Sequence, residues 1–67
     1  MITKKMTLLE IVEKHPETEQ IFRDYDEFAG ECLLCNGLFD SIENISIKYG
    51  INSDEIISRL NILITED

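Results

Sequence analysis

The sequence predicts an all-α fold, a compact domain of four short helices with a Cys-x-x-Cys loop between the two helical pairs. Four segments carry apolar residues at the spacing of helix faces. The single proline and the glycines fall where these helices should start or stop. Because 67 residues suffice for only one small domain, we expect a single helical domain over residues 1–67. Residues 1–6 are expected to form an extended arm and residues 65–67 a C-terminal tail.

Pro16 separates the two helices of the first pair. Thr7 is followed three residues later by Glu10, the pattern of a capping box, which predicts a first helix over residues 8–14. Proline disfavours α geometry in the residue before it and fits the first position of a helix. The second helix should therefore begin at Pro16. Its apolar stripe consists of Ile21, Phe22, Tyr25 and Phe28.

The second helical pair is organised around Gly50. Ser41 is a suitable N-cap for a third helix that runs through Tyr49, and Gly50 is a suitable residue to end it. Asn52, with Glu55 three residues later, predicts the start of a fourth helix. The apolar stripe of this last helix is formed by Ile56, Ile57, Leu60, Leu63 and Ile64.

Acidic residues outnumber basic residues by 14 to 6, which gives a formal net charge of −8. Nucleic acids and anionic membranes attract clustered Lys and Arg, so this balance argues against both as partners. No apolar run approaches the roughly 18 residues of a membrane span. Glu10 and Glu13 also interrupt any apolar region of a signal peptide. We therefore expect a cytoplasmic protein, and in that compartment a pair of cysteines is more often chemical than structural.

The loop between the pairs contains Cys-Leu-Leu-Cys at residues 32–35, followed by the turn-forming pair Asn36-Gly37. A disulfide here would close a ring of four residues, for which loop entropy provides only about 2 kcal/mol of stabilisation. Bracing of the fold is therefore a weak reason for the pair. We interpret Cys32 and Cys35 as a redox pair, and thiol–disulfide exchange is the only catalytic activity that the sequence indicates. The sequence leaves open which cysteine attacks; Cys32 is the conventional choice, because the N-terminal cysteine of such a pair is usually the more exposed.

Two other interpretations of Cys32 and Cys35 stay open. The chain has six acidic residues and no Lys or Arg between Asp24 and Ile47, which disfavours a reactive thiolate. The cysteines could then be inert buried side chains. Alternatively they are half of a metal site. One chain offers only His15 as a further strong ligand, so a zinc or iron–sulfur site would require a dimer. We predict no cofactor for the single chain.

Ile47 and Ile62 lie outside the apolar stripes of the last two helices. Two exposed isoleucines in one small acidic domain favour a homodimer or a surface for a protein partner. This pattern provides a second function hypothesis, a structural interaction domain in which the cysteines have no chemical role.

Residues that match one known family extend from position 2 to about position 61. They include Ile2-Thr3-Lys4, Met6-Thr7, Pro16-Glu17, Ile21-Phe22, Tyr25, Cys32, Cys35, Ser41-Ile42-Glu43, Tyr49-Gly50 and Asp54-Glu55-Ile56-Ile57. On these residues the chain resembles the hybrid-cluster-protein-associated redox-disulfide domain, a family of small bacterial and archaeal domains. The segment from Cys32 to Leu60 is more distantly similar to the N-terminal domain of iron–sulfur cluster repair proteins. The resemblance implies an all-helical fold and a thiol–disulfide role for the cysteines.

The chain departs from this family around the cysteines. Asp26 and Leu34 stand where the family has glycine, and the link to Cys32 is a few residues longer. The geometry of this loop is therefore less transferable than that of the helices. Taken together, these features predict a small cytoplasmic accessory module that acts through Cys32 and Cys35 on a protein partner, such as a redox enzyme or a metalloenzyme.

Overall fold

A computed structural model describes residues 1–65; residues 66–67 lie outside the described part of the chain. Within residues 1–65 the fold is helical and has no β-strand, which confirms the predicted fold class. The helices, in chain order, are α1 Leu8–Lys14, a 3₁₀ helix Pro16–Thr18, α2 Glu19–Ala29, α3 Leu33–Gly37, α4 Ile42–Tyr49 and α5 Ser53–Thr65. None of them is long and apolar enough to cross a membrane. Four correspond to the predicted helices, and α3 is one additional short helix between the pairs.

The helices begin where the capping patterns predicted. Thr7 Oγ1 accepts a hydrogen bond from Glu10 N–H, and the Glu10 carboxylate accepts one from Thr7 N–H, each at 3.1 Å. These bonds satisfy amides that have no partner within the helix. Equivalent bonds cap the last two helices. Asn44 N–H donates to Ser41 Oγ at the start of α4, and Glu55 N–H donates to Asn52 Oδ1 at the start of α5.

The first backbone amides of α1 and α4 also find hydrogen-bond acceptors next to each other's helix. Leu8 N–H donates to Asp40 O at 3.0 Å, and Ile42 N–H donates to Met6 O at 3.1 Å. The acceptor for each helix thus belongs to the segment that precedes the other helix. This exchange places the beginning of the chain beside the segment that follows α3.

The second helix of the first pair begins in two stages. Pro16 starts a 3₁₀ helix, and α2 follows from Glu19. Thr18 is fully buried at this junction, where its Oγ1 donates to His15 O at 2.6 Å. His15 is the C-cap of α1 and Thr18 directly precedes α2, so this hydrogen bond links the ends of the first two helices.

All five α-helices contribute to one hydrophobic core. The core residues are Ile2, Leu8, Ile11, Phe22, Tyr25, Leu33, Ile42, Ile45, Ile51, Ile56 and Leu60. Leu33 is the member from α3, and it is fully buried although it lies between the two cysteines. Its burial anchors the cysteine segment to the domain.

Phe28 does not belong to the core, and its assignment to the buried stripe of α2 was wrong. Its side chain is 66% exposed, whereas Phe22 is fully buried and Tyr25 nearly so. Phe28 lies in the last turn of α2, where it lines an open groove beside Gly50. The helical spacing is correct, but the neighbouring elements do not extend far enough to cover this turn.

Residues 1–6 form no helix or strand and contain a turn at Lys4 and Lys5. Ile2 is only 2% exposed, so this segment is packed onto the domain. The predicted C-terminal tail begins at Thr65, which is the last residue of α5. The rest of that tail lies outside the described residues.

Candidate functional site

Cys32 and Cys35 are brought together at the start of α3, with their sulfur atoms within disulfide-bonding distance. Their Cα atoms are 5.2 Å apart, inside the range that a disulfide can bridge without backbone movement. Cys32 is the N-cap of α3, and Cys35 lies in its first turn. The predicted cysteine pair is therefore a geometrically competent thiol–disulfide pair.

The backbone around the cysteines is more regular than the sequence indicated. Gly30 ends α2 in the left-handed region, with φ of 80°, and the chain then turns into α3. Asn36 N–H donates to Cys32 O at 3.1 Å, which closes a helical turn around the pair. The interpretation of Asn36 and Gly37 as a turn was wrong, because both residues are part of α3 and neither has a positive φ.

Close packing explains why Gly37 is helical. A Cβ atom on this residue would lie 3.1 Å from Ile45 Cγ2, which is tighter than ordinary van der Waals contact. The missing side chain thus lets α3 approach α4 closely. The glycine serves helix packing here and not a turn.

Neither cysteine is buried, but the order of their exposure differs from our expectation. Cys35 is exposed, whereas Cys32 is only partly exposed. Cys32 directly precedes the fully buried Leu33, whereas Cys35 lies two residues after it on the exposed side of the short helix. The argument that Cys32 is the attacking thiol because it is the more exposed was therefore wrong.

Hydrogen bonding gives Cys32 a different advantage. Cys35 N–H donates to Cys32 Sγ at 3.1 Å, so this sulfur occupies the capping position of α3. A hydrogen bond donated to a sulfur stabilises its thiolate form relative to the neutral thiol. The sulfur of Cys35 has no such donor among the described residues.

Carboxylates surround this turn. Asp26 Oδ1 accepts from Leu33 N–H at 2.9 Å, which links α2 to the first residue of α3. Glu31, immediately before Cys32, accepts a hydrogen bond from the Tyr49 hydroxyl. That bond, together with partial desolvation and the negative charges of Glu31 and Asp40, raises the pKa of Tyr49 to about 12. The contact ties the cysteine segment to α4.

The structure adds no third metal ligand to the cysteine pair. Among residues 1–65, no group of three or more His, Cys, Asp and Glu side chains is placed to hold a metal ion. His15, the remaining candidate ligand, is the C-cap of α1 and is not grouped with Cys32 and Cys35. A zinc or iron–sulfur site would need ligands from a second chain, and this hypothesis stays a prediction.

A second cluster was not foreseen from the sequence. The Tyr25 hydroxyl donates to Glu55 Oε1 at 2.8 Å, and the Arg59 guanidinium lies 5.5 Å from the centre of the Tyr25 ring. Desolvation, followed by the hydrogen bond to Glu55, raises the pKa of Tyr25. The sequence did contain one signal for this cluster, a tyrosine within the apolar stripe of α2. A buried tyrosine hydroxyl usually has a hydrogen-bond partner, so its position indicated that a polar side chain would lie nearby.

The two isoleucines predicted to lie outside the core are exposed. Ile47 is 78% exposed and Ile62 is 58% exposed. Ile62 also lines a shallow apolar groove with Ile21, Leu63 and Arg59. These side chains are available for contact with another molecule.

Searches of protein-family models, curated proteins and solved structures return no match to this chain. The family resemblance read from the sequence therefore stays a prediction, and function must be argued from the geometry of the domain itself.

Proposed function

We propose that this domain is a small cytoplasmic accessory module that exchanges a disulfide with thiols of a protein partner through Cys32 and Cys35. The observation that carries this proposal is the position of the two sulfurs, within bonding distance at the start of α3, with Cys35 exposed. A partner thiol can therefore reach the bond. In agreement with the family resemblance, the partner is expected to be a redox enzyme or a metalloenzyme.

The bridge adds little to the architecture, which supports a chemical role. It joins residues only three apart and connects no two of the long helices. The same segment is held by burial of Leu33 and by the hydrogen bond from its amide to Asp26. Loop entropy provides only about 2 kcal/mol for so small a ring.

The exchange proceeds in two displacement steps. A partner thiolate attacks one sulfur of the Cys32–Cys35 bond, breaks it, and forms a mixed disulfide while the other cysteine leaves as a thiolate. A second partner thiolate then attacks the partner sulfur of the mixed disulfide and releases the domain. Two electrons pass to the domain, its two thiolates take up protons, and the partner becomes a disulfide. The reverse sequence reduces a partner.

We assign Cys32 as the nucleophile of the reduced domain and Cys35 as the cysteine that resolves the mixed disulfide. The reason is the hydrogen bond from Cys35 N–H to Cys32 Sγ, since such a bond favours the thiolate. The carboxylates of Asp26 and Glu31 oppose this effect. We therefore expect a thiol less reactive than those of thioredoxin-type sites.

Equilibration with glutathione buffers of graded redox potential tests the proposal. The reduced and oxidised forms are trapped by alkylation and counted by mass spectrometry. We expect one two-electron transition, with a midpoint potential between about −270 and −200 mV, the range of cytosolic dithiol proteins. Cys32→Ser and Cys35→Ser are the matched controls, because each should form only a mixed disulfide with glutathione. Failure of the wild-type pair to close under mild oxidants would falsify the proposal.

The alternative function is an interaction domain, and the exposure of Ile47 and Ile62 favours it. In that case Ile47→Glu or Ile62→Glu should abolish association with a partner or a second copy, while Cys32→Ser should leave it unchanged. Native mass spectrometry of chelator-free protein measures the oligomeric state and also detects zinc or iron bound between two copies.

A further inference from the structure

Asp26 makes a contact that bears on the cysteine pair without involving either sulfur. Its Oδ1 accepts from Leu33 N–H at 2.9 Å, a hydrogen bond that spans seven residues and joins α2 to α3. Leu33 is the first residue of α3, so its amide cannot be satisfied within that helix.

The cysteine turn depends on such outside contacts. α3 has five residues, and an isolated helix of that length is not stable in water. In the disulfide state the covalent bridge from Cys32 to Cys35 itself restrains the turn. When the bridge opens, the bond from Cys35 N–H to Cys32 Sγ changes in strength, because its acceptor becomes a thiol or a thiolate. The bond from Leu33 to Asp26 contains no reacting atom and is available in both redox states.

We propose that Asp26 is a positioning residue for the Cys32–Cys35 pair, because its hydrogen bond to Leu33 N–H keeps the first turn of α3 formed in the dithiol state. The two sulfurs then stay close enough to re-form their bond, and closing costs little conformational entropy. This inference rests on the proposed function and adds a residue that favours closure of the Cys32–Cys35 disulfide.

The test measures the equilibrium between the domain disulfide with two glutathione thiols and the domain dithiol with glutathione disulfide. The two glutathione thiols supply the two electrons and two protons that the domain gains. Asp26→Ala removes the acceptor and should reduce the equilibrium constant for closing about three- to tenfold, the effect of losing one hydrogen bond. Asp26→Asn retains an acceptor oxygen and should stay within about twofold of the wild type.

Asp24→Ala is the matched control, since it removes another carboxylate from α2 and that carboxylate bonds only Gln20 among the described residues. Its closing equilibrium should equal that of the wild type. Circular dichroism of all three variants checks that the helices are retained.

Hydrogen exchange of the Leu33 amide in the reduced protein provides an independent readout. The amide should be protected in the wild type and in Asp26→Asn, and it should exchange faster in Asp26→Ala. An unprotected Leu33 amide in the reduced wild type would overturn the role of Asp26 and leave the proposed function standing. Equal closing constants for the wild type and Asp26→Ala would do the same. A wild type that never forms the internal disulfide would overturn the proposed function and this inference together.

Discussion

The side-chain amide of Asn61 pairs with the backbone of Ile2 as a neighbouring β-strand would. Ile2 N–H donates to Asn61 Oδ1 at 2.8 Å, and Asn61 Nδ2 donates to Ile2 O at 3.1 Å. One residue of α5 thereby satisfies both polar groups of a backbone position whose side chain lies in the core. This pairing explains how the first residues of the chain are held without secondary structure.

Asn61→Ala is expected to lower the free energy of unfolding by about 1–3 kcal/mol, because it leaves a partly buried backbone donor and acceptor unpaired. Urea denaturation followed by circular dichroism measures the change. Asn61→Asp is the matched variant, because it keeps the acceptor for Ile2 N–H but loses the donor to Ile2 O. Its free energy of unfolding should lie between those of the wild type and Asn61→Ala. Equal stabilities for all three proteins would contradict a structural role for the pairing.

The two serines associated with α4 should respond to substitution in opposite directions. Ser41 Oγ caps the helix, so Ser41→Ala should destabilise the domain by about 1 kcal/mol. Ser46 Oγ is buried and has no hydrogen-bond partner among the described residues. Ser46→Ala removes a group whose desolvation is uncompensated, so it should be neutral or stabilise by up to about 1 kcal/mol. Thermal unfolding of both variants checks the difference, and a marked loss of stability in Ser46→Ala would show that its hydroxyl has a partner.

Gly50 ends α4 with φ of 69°, and nothing within 4 Å would contact a Cβ atom there. Gly50→Ala should therefore cost about 1–2 kcal/mol through backbone strain alone. Gly50→Asn should cost less, because asparagine tolerates this conformation better than alanine. Chemical denaturation measures both values. A larger loss in Gly50→Asn than in Gly50→Ala would indicate a steric cause that the structure does not contain.

The bond from Tyr49 to Glu31 predicts a pH dependence at alkaline pH. The pKa of Tyr49 is raised to about 12 in the folded protein, from 10.0 for a free side chain. A group whose pKa is raised by folding stabilises the fold fully below its unfolded value. The contribution of Tyr49 is therefore present below about pH 10 and is lost as the pH rises through about 12.

Ultraviolet absorbance of the phenolate measures this titration. The chain has two tyrosines, so Tyr49→Phe isolates the signal of Tyr25. Glu31→Gln should shift the Tyr49 transition toward pH 10, because a neutral amide stabilises the protonated phenol less than a carboxylate does. An unchanged transition in Glu31→Gln would exclude Glu31 as the cause of the raised pKa.

Helix ends were predictable because their chemistry is local. Thr7, Ser41 and Asn52 each lie within three residues of the amide that they cap, so the sequence contains the complete interaction. The exposure of Phe28 was not predictable from its spacing, because exposure depends on where other elements end. Periodicity identifies the face of a helix but not the length over which that face is covered.

The candidate site was predictable in its cysteines and not in their support. Cys32 and Cys35 are recognisable by their spacing alone. From the sequence, Asp26 is one of six acidic residues near the cysteines and a departure from the glycine of the family that the chain resembles. Its contact with Leu33 crosses the end of a helix, so the sequence does not indicate it. The pairing of Tyr49 with Glu31 spans eighteen residues and likewise requires the tertiary fold. Side chains that hold a cysteine pair in place are thus found from structure, even where the pair itself is found from sequence.

The mutual capping of α1 and α4 makes the domain indivisible. Leu8 depends on an acceptor at Asp40, and Ile42 depends on one at Met6, so each half of the chain completes a helix of the other. A fragment ending at Gly30 and a fragment starting at Glu31 would each begin a helix with unpaired amides. Such fragments should remain unstructured when separate and acquire helical structure only when mixed. We therefore expect the domain to unfold in a single cooperative step, with the cysteine turn formed only while both halves are in contact.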